Sequence, residues 1–346
     1  PFDVTFSFVT ASNVGMSGIN VLNHGVVGDA NQGEVGDDTS NIAAAVDETE
    51  DSSASGENER LIFPAGGYRL RNLGRTSGTA PIRSCFANSS SYWLEGAGMG
   101  MTNLYFSTAS DVGDTMIEHI DGDSRIFVLK DMTFNGNGNG TDHDDWAAVN
   151  IGADYIIIDN VEFKNFHGQS IRIVGSPDFV SITNCTFVDM LPNETSSYQA
   201  MVCLDGITSD ECTFIFSGNR VVGNPDPAQS GVSVNGLQVK PSAFSKKVRC
   251  IIKNNHFKEL GNPAAEPSAA VTLDPGCHDS VISDNVFESC VHSSIRVESC
   301  NNIEISGNTL AGESAEMDAG HTIYGITVDS YAESTAGARI INNTIV

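Results

Sequence analysis

One six-residue pattern recurs eight times between residues 129 and 345: an apolar residue, any residue, Asn, Asp or Gly, any two residues, and an apolar residue. The copies are LKDMTF at 129, IDNVEF at 158, ITNCTF at 182, FSGNRV at 216, IKNNHF at 252, ISDNVF at 282, ISGNTL at 305 and IINNTI at 340, often with a second Asn in fourth place. They start 23 to 36 residues apart. A rigid helical repeat would keep one spacing, so each unit must carry a loop of variable length.

A short alternating segment precedes each later hexad: AAVNIG at 147, QSIRIV at 169, AMVCLD at 200, NGLQVK at 235, AAVTLD at 269, SSIRVE at 293 and YGITVD at 324. Alternation with period two marks a strand with one buried face. The register puts Ile151, Ile173, Leu204, Val239, Leu273, Val297 and Val328 on the inner face. The polar third residue of each hexad tolerates the left-handed conformation that a tight corner needs. Strand, corner, strand and loop, once per coil, predict an all-β chain folded as a right-handed, single-stranded parallel β-helix, a solenoid with rungs about 4.8 Å apart.

The ends of such a stack need covering. In GDDTSNIAAAVDE, residues 36–48, Asp38 or Thr39 reads as an N-cap, and Ile42 with Val46 forms an apolar stripe. A capping helix over about 38–48 is expected, followed by a first strand with a Pro-Gly turn in LIFPAGGYRL, residues 61–70. The layout is then an N-terminal extension over 1–20 and one β-helix domain over 21–346. The last residues, IINNTIV, stop within a rung, so the solenoid is expected to continue past Val346 or to be covered by a partner.

Charge limits the partners. With 44 acidic and 18 basic residues, a net charge of −26 excludes a nucleic-acid ligand, which needs a basic face. Five of the seven lysines fall in residues 240–258, with Arg249, and read as a solvated face balancing nearby acids or as a site for an anionic sugar. The eight cysteines show no zinc-like spacing and read mostly as small core residues. No apolar run is long enough for a membrane helix.

GVVGDANQGEVGDDTSNIAAAVDE, residues 25–48, followed by RLIFPAGGYRL, resembles the opening of the pectate lyase superfamily, in the branch that includes secreted pectate-lyase-like enzymes and phage tailspikes. MTFNGNGNG, residues 132–140, is similar to an early rung of that group. The resemblance implies the β-helix fold and a polysaccharide or cell-surface glycan as ligand. It also implies an extracellular or virion-tail location and a homotrimer. It leaves the chemistry open, because the branch contains lyases, hydrolases, epimerases and binding proteins.

The residue after each inner apolar position faces outward: Gly152, Val174, Asp205, Lys240, Asp274, Glu298 and Asp329. Stacked carboxylates repel, and at least one pKa is expected to rise. A raised carboxyl beside an ionised one is what glycoside hydrolysis uses, so Asp274, Glu298 and Asp329 are the candidate catalytic residues. Arg296 would clamp a substrate carboxylate or neutralise the acidic column. Arg172, its counterpart four repeats earlier, has no acid in its own column. Asp205, Lys240 and Trp146 are candidate substrate contacts, and Asp142, Asp144 and Asp145 in TDHDDW would hold Ca²⁺ or form a solvated acidic loop. His167 and His292, each just ahead of a strand, read as turn residues. No cofactor is required by this chemistry. The expected function is glycan binding with glycoside hydrolysis, as in a tailspike or tail fibre; the alternatives are a secreted polysaccharide lyase using Lys240 or Arg296 with Asp205 and Asp274, and a virion or surface protein without chemistry.

Overall fold

The computed structural model describes residues 18–26, 38, 40–46, 60–70, 82–83, 91–106, 115–119, 126–136, 147–166, 169–189, 198–223, 233–260, 269–290, 293–312, 324–329 and 337–346. Every strand pairing in it is parallel, in one 19-stranded and one nine-stranded sheet wound into a single solenoid. The large sheet is two ladders joined at corners. In Tyr155–Lys164, for example, residues 155–159 belong to a first ladder and 161–164 to a second, bonded to Phe179–Thr183 and Thr186–Val188 respectively. The nine-stranded sheet is the third ladder and contains the alternating segments of the repeat.

The hexads explain the corners. All eight third-position residues adopt positive φ: Asp131 (59°), Asn160 (54°), Asn184 (54°), Gly218 (68°), Asn254 (56°), Asp284 (56°), Gly307 (66°) and Asn342 (52°). Only Gly, Asn and Asp visit that region readily, and one of these three turns the chain between two ladders at each of the eight hexads. The fourth-position asparagines form a buried ladder inside the bend. Asn219, Asn255 and Asn285 each use their backbone N–H to donate to the side-chain oxygen of the next, Asn255, Asn285 and Asn308, at 2.9 to 3.0 Å. Their side-chain amides donate to Ile182, Phe216 and Ile252 carbonyls. Backbone groups that a tight corner would strand are thereby satisfied.

Behind the corners, Phe134, Phe163 and Phe187 stack at 5.2 and 5.3 Å between centroids, and Phe257 stacks on Phe287 at 5.0 Å. The rest of the core is one apolar cluster running from Ile19 to Leu310. Ile151, Ile173, Leu204, Val239, Leu273 and Val297 are fully buried in it. Val328 departs from the expected pattern: it is 37% exposed because it lies in the last rung of the third ladder, with no described strand stacked beyond it. The seven described cysteines are free and buried.

At the other end, residues 40–46 form the short helix, with Ile42, Ala45 and Val46 turned to the core. Asp38 accepts the first helical bond from the Ile42 N–H, its carboxylate accepts from the Arg69 N–H at 3.3 Å, and its own N–H donates to the Arg69 carbonyl. The helix is thus tied to the strand Gly66–Leu70, which with Arg60–Ile62 brackets the Phe63-Pro64-Ala65 turn. The large sheet starts with Gly18–Asn20, paired to Arg60–Ile62.

Candidate functional site

The third ladder positions the outward residues in two columns. In one, Cys203 opposes Gln238, Gln238 opposes Thr272, Thr272 opposes Arg296 and Arg296 opposes Thr327. In the other, Asp205 opposes Lys240 and Glu298 opposes Asp329. Asp274 leaves its strand between them, on the rung before Glu298, and its N–H donates to the Val239 carbonyl at 2.9 Å. The sequence Asp274-Pro275-Gly276-Cys277 then turns back, with Gly276 at φ 103° and the Cys277 N–H bonded to the Asp274 carbonyl at 3.2 Å, as a type II turn requires.

A cleft of about 440 Å³ lies over this region. Its floor is Asn235, Gln238, Thr272, Asp274, Arg296 and Glu298, and its lip is Pro241 to Phe244 with Pro275 and Lys240. The lip lies beside a β-bulge in the neighbouring strand, where Gly206, with φ 64°, is the extra residue between Asp205 and Ile207 opposite Lys240 and Pro241. It is held by the Ser242 N–H on the Ile207 carbonyl, and by Lys246, whose N–H reaches the Ala243 carbonyl and whose amine meets Asp210 at 2.8 Å. Phe244, 37% exposed, supplies an apolar wall.

Burial pushes the Asp274 carboxyl up to about 6, and the negative charge of Glu298 pushes the same way. A hydrogen bond from the Gln238 amide at 2.8 Å, with the charges of Lys240 and Arg296, opposes the rise. The expected rise therefore occurs, but desolvation leads it and carboxylate stacking is secondary. Glu298 is not bare: it forms an ion pair with Arg296, whose Nε is also 3.6 Å from Asp329. Arg296 is thus paired with two acids of the column while it also lines the cleft. Four rungs before Arg296, Arg172 meets Asp205 of the following rung at 2.7 Å, with Lys240 3.7 Å from the same carboxylate. The acid missing from the column of Arg172 stands diagonally across, in the neighbouring one.

Of the sequence candidates, Asp274, Glu298, Arg296 and Lys240 line the cleft, while Asp205 and Asp329 flank it through their ion pairs. Trp146, Asp142, Asp144, Asp145, His167 and His292 lie outside the described residues. Among the described residues no group of three or more His, Cys, Asp or Glu side chains is placed to hold a metal ion, and no helix is long and apolar enough to cross a membrane. The residues that sequence reasoning missed are Gln238 and the lip, Pro241 to Phe244. Gln238 is visible in the sequence as an outward amide one residue pair from Lys240 and one rung before Asp274.

The fold and cleft define a parallel β-solenoid with a polar groove on one outer face. The chain belongs to the right-handed β-helix region family, whose model matches residues 115–345. No curated protein matches its sequence. Among solved structures, the enzymatically active domain of tailspike protein 2 from bacteriophage CBA120 is similar at 13% identity with a TM-score of 0.59, over 96% of this chain and 43% of that one. The PL6-family alginate lyase AlyGC is similar at 15% identity and a TM-score of 0.54, over 90% and 39%. PfbA, a surface adhesin of Streptococcus pneumoniae, is similar at 13% identity and a TM-score of 0.52, over 95% and 91%. The chain therefore spans less than half of the tailspike and lyase chains. These likenesses are of fold.

Proposed function

We propose that this protein binds a polysaccharide along the third ladder and cleaves it by glycoside hydrolysis in the cleft, as an extracellular, tailspike-like or tail-fibre-like depolymerase of a virion. The observation that carries this reading is Asp274. A carboxyl held near pKa 6 stays partly protonated near neutral pH, one rung from Glu298, which is ion-paired to Arg296. Asp274 donates its proton to the glycosidic oxygen as the bond to the anomeric carbon breaks. Glu298, on the next rung where rungs lie about 5 Å apart, attacks that carbon to form a glycosyl-enzyme. Water then enters with Asp274 as base, returning the acid and releasing a sugar of retained configuration. Asp329 shares Arg296 and fixes its position. The chemistry needs no cofactor, and the assembled form is a homotrimer.

Lys240 supports a second reading. Its side chain is 57% exposed at the cleft lip beside Asp205, where it would take the proton from the carbon next to a uronate carboxylate, with elimination of the leaving sugar. The charge of the whole chain, −26, opposes an acidic polymer elsewhere on the surface and favours neutral glycan. The adhesin likeness supports binding without cleavage. Digestion of candidate glycans separates the three: new reducing ends without unsaturated products support hydrolysis, ultraviolet-absorbing unsaturated ends support the lyase, and retention without cleavage supports binding alone.

A further inference from the structure

The first ladder carries a feature that neither the repeat nor the cleft requires. Between buried positions such as Ile156, Val180, Phe214 and Ile282, alternate residues point outward. Their register stacks Ile157, Ser181, Ile215, Ile251 and Val281 into one column. A solvated sheet face ordinarily alternates to polar residues. Here four of the five are β-branched aliphatics, each left partly exposed. In the next outward column Tyr155, 45% exposed, opposes Phe179. The aliphatic column runs over four rung steps, about 19 Å.

The charge around this stripe is also unlike that of the rest of the chain. The outward positions of the ladder hold six cations: Arg60, Lys130, Lys247, Arg249, Lys253 and Arg339. Four carboxylates share the face, Glu95, Asp159, Glu211 and Glu304. On a chain with 18 basic and 44 acidic residues the balance reverses here. Arg249 and Lys253 stand on either side of Ile251 in one strand.

We infer that this stripe is a contact face between copies of the chain, with the apolar column and basic rim of one copy seated against an acidic face of the next. Apolar area drives the contact, and charge complementarity selects the surface that receives it. Joining two different faces makes a heterologous interface, which closes into a ring when the rotation allows. The inference rests on the homotrimer proposed above and assigns a face to it. A saccharide is a poorer occupant, because Ile and Val side chains offer neither an aromatic platform nor hydrogen-bonding groups for its hydroxyls.

Sedimentation velocity of the full chain at micromolar concentration tests this, with the variants I215D/I251D and R249E/K253E. The native chain is expected to sediment as a trimer, and both variants as monomers with unchanged circular dichroism. The charge-reversal pair changes the exposed Lys253 and the partly buried Arg249 rather than two aliphatic residues, so it decides the matter if the aspartate pair fails to fold. Trimers in a folded variant of either kind would overturn the stripe while leaving the homotrimer standing. A monomeric native chain would overturn both. A monomeric native chain whose variants lose retention on an anionic polysaccharide would reassign the face to glycan.

Discussion

Gln238 donates a 2.8 Å hydrogen bond from Nε2 to Oδ2 of Asp274, the carboxyl that burial pushes up to about 6. The bond favours the ionised form and so restrains a shift that desolvation drives. Replacing Gln238 with Met removes the donor while keeping the bulk. The pKa of Asp274 should then rise, and the alkaline limb of the cleavage profile should move to higher pH. A pH series of kcat/KM for both proteins reads this directly.

Asp274 also ties stability to pH. Its folded-state pKa lies above the unfolded value of 3.8, so the native state holds the proton more tightly. Stability from this group is full below about pH 4 and falls as pH rises toward the folded value, levelling above it. Asp274→Asn should therefore be as stable as the native chain at pH 4. At pH 7 it should be more stable by about 1–2 kcal/mol, after allowing for the part of the carboxyl that faces water. Urea midpoints at the two pH values measure the difference.

The asparagine ladder predicts a larger loss. Asn285 accepts from the Asn255 N–H and side-chain amide, and donates to the Ile252 carbonyl and to Asn308. Asn285→Ala leaves several of these groups buried without partners, at a cost of about 2–4 kcal/mol. Asn343 lies in the last rung and is only partly buried, so Asn343→Ala should lower the urea midpoint by less.

The corners can be tested apart from packing, because Asn254 is exposed and sits at φ 56°. Asn254→Val should destabilise by about 1–2 kcal/mol, since a β-branched residue resists the left-handed region. Asn254→Gly should stay within about 0.5 kcal/mol of the native chain. Thermal unfolding of the pair separates backbone strain from lost contacts.

Most of the solenoid was legible in the sequence because one physical demand repeats in every coil: a residue that tolerates positive φ, set between apolar strand positions. The same counting placed Ile151 through Val297 in the core, and it failed at Val328, where the last rung has no described strand beyond it. Register along a column found Asp274 and Glu298. It could not find the pair of Arg172 with Asp205, which crosses between columns, nor the lip beside the bulge at Gly206. The cluster of lysines over 240–258 divides in the structure: Lys240 faces the cleft, Lys246 and Lys247 pair with Asp210 and Glu211, and Lys253 stands on the first ladder. A linear charge run does not reveal which face each strand turns outward.

The central claim is that Asp274 and Glu298 hydrolyse a glycan in this cleft. Once a cleaved polysaccharide is found, reducing-end release should be followed for the native chain, Asp274→Asn and Glu298→Gln. Each variant is expected to lose at least about 100-fold in rate, with native products free of unsaturated ends. Cleavage by both variants at the native rate, or native products that absorb in the ultraviolet as unsaturated sugars, would contradict the assignment.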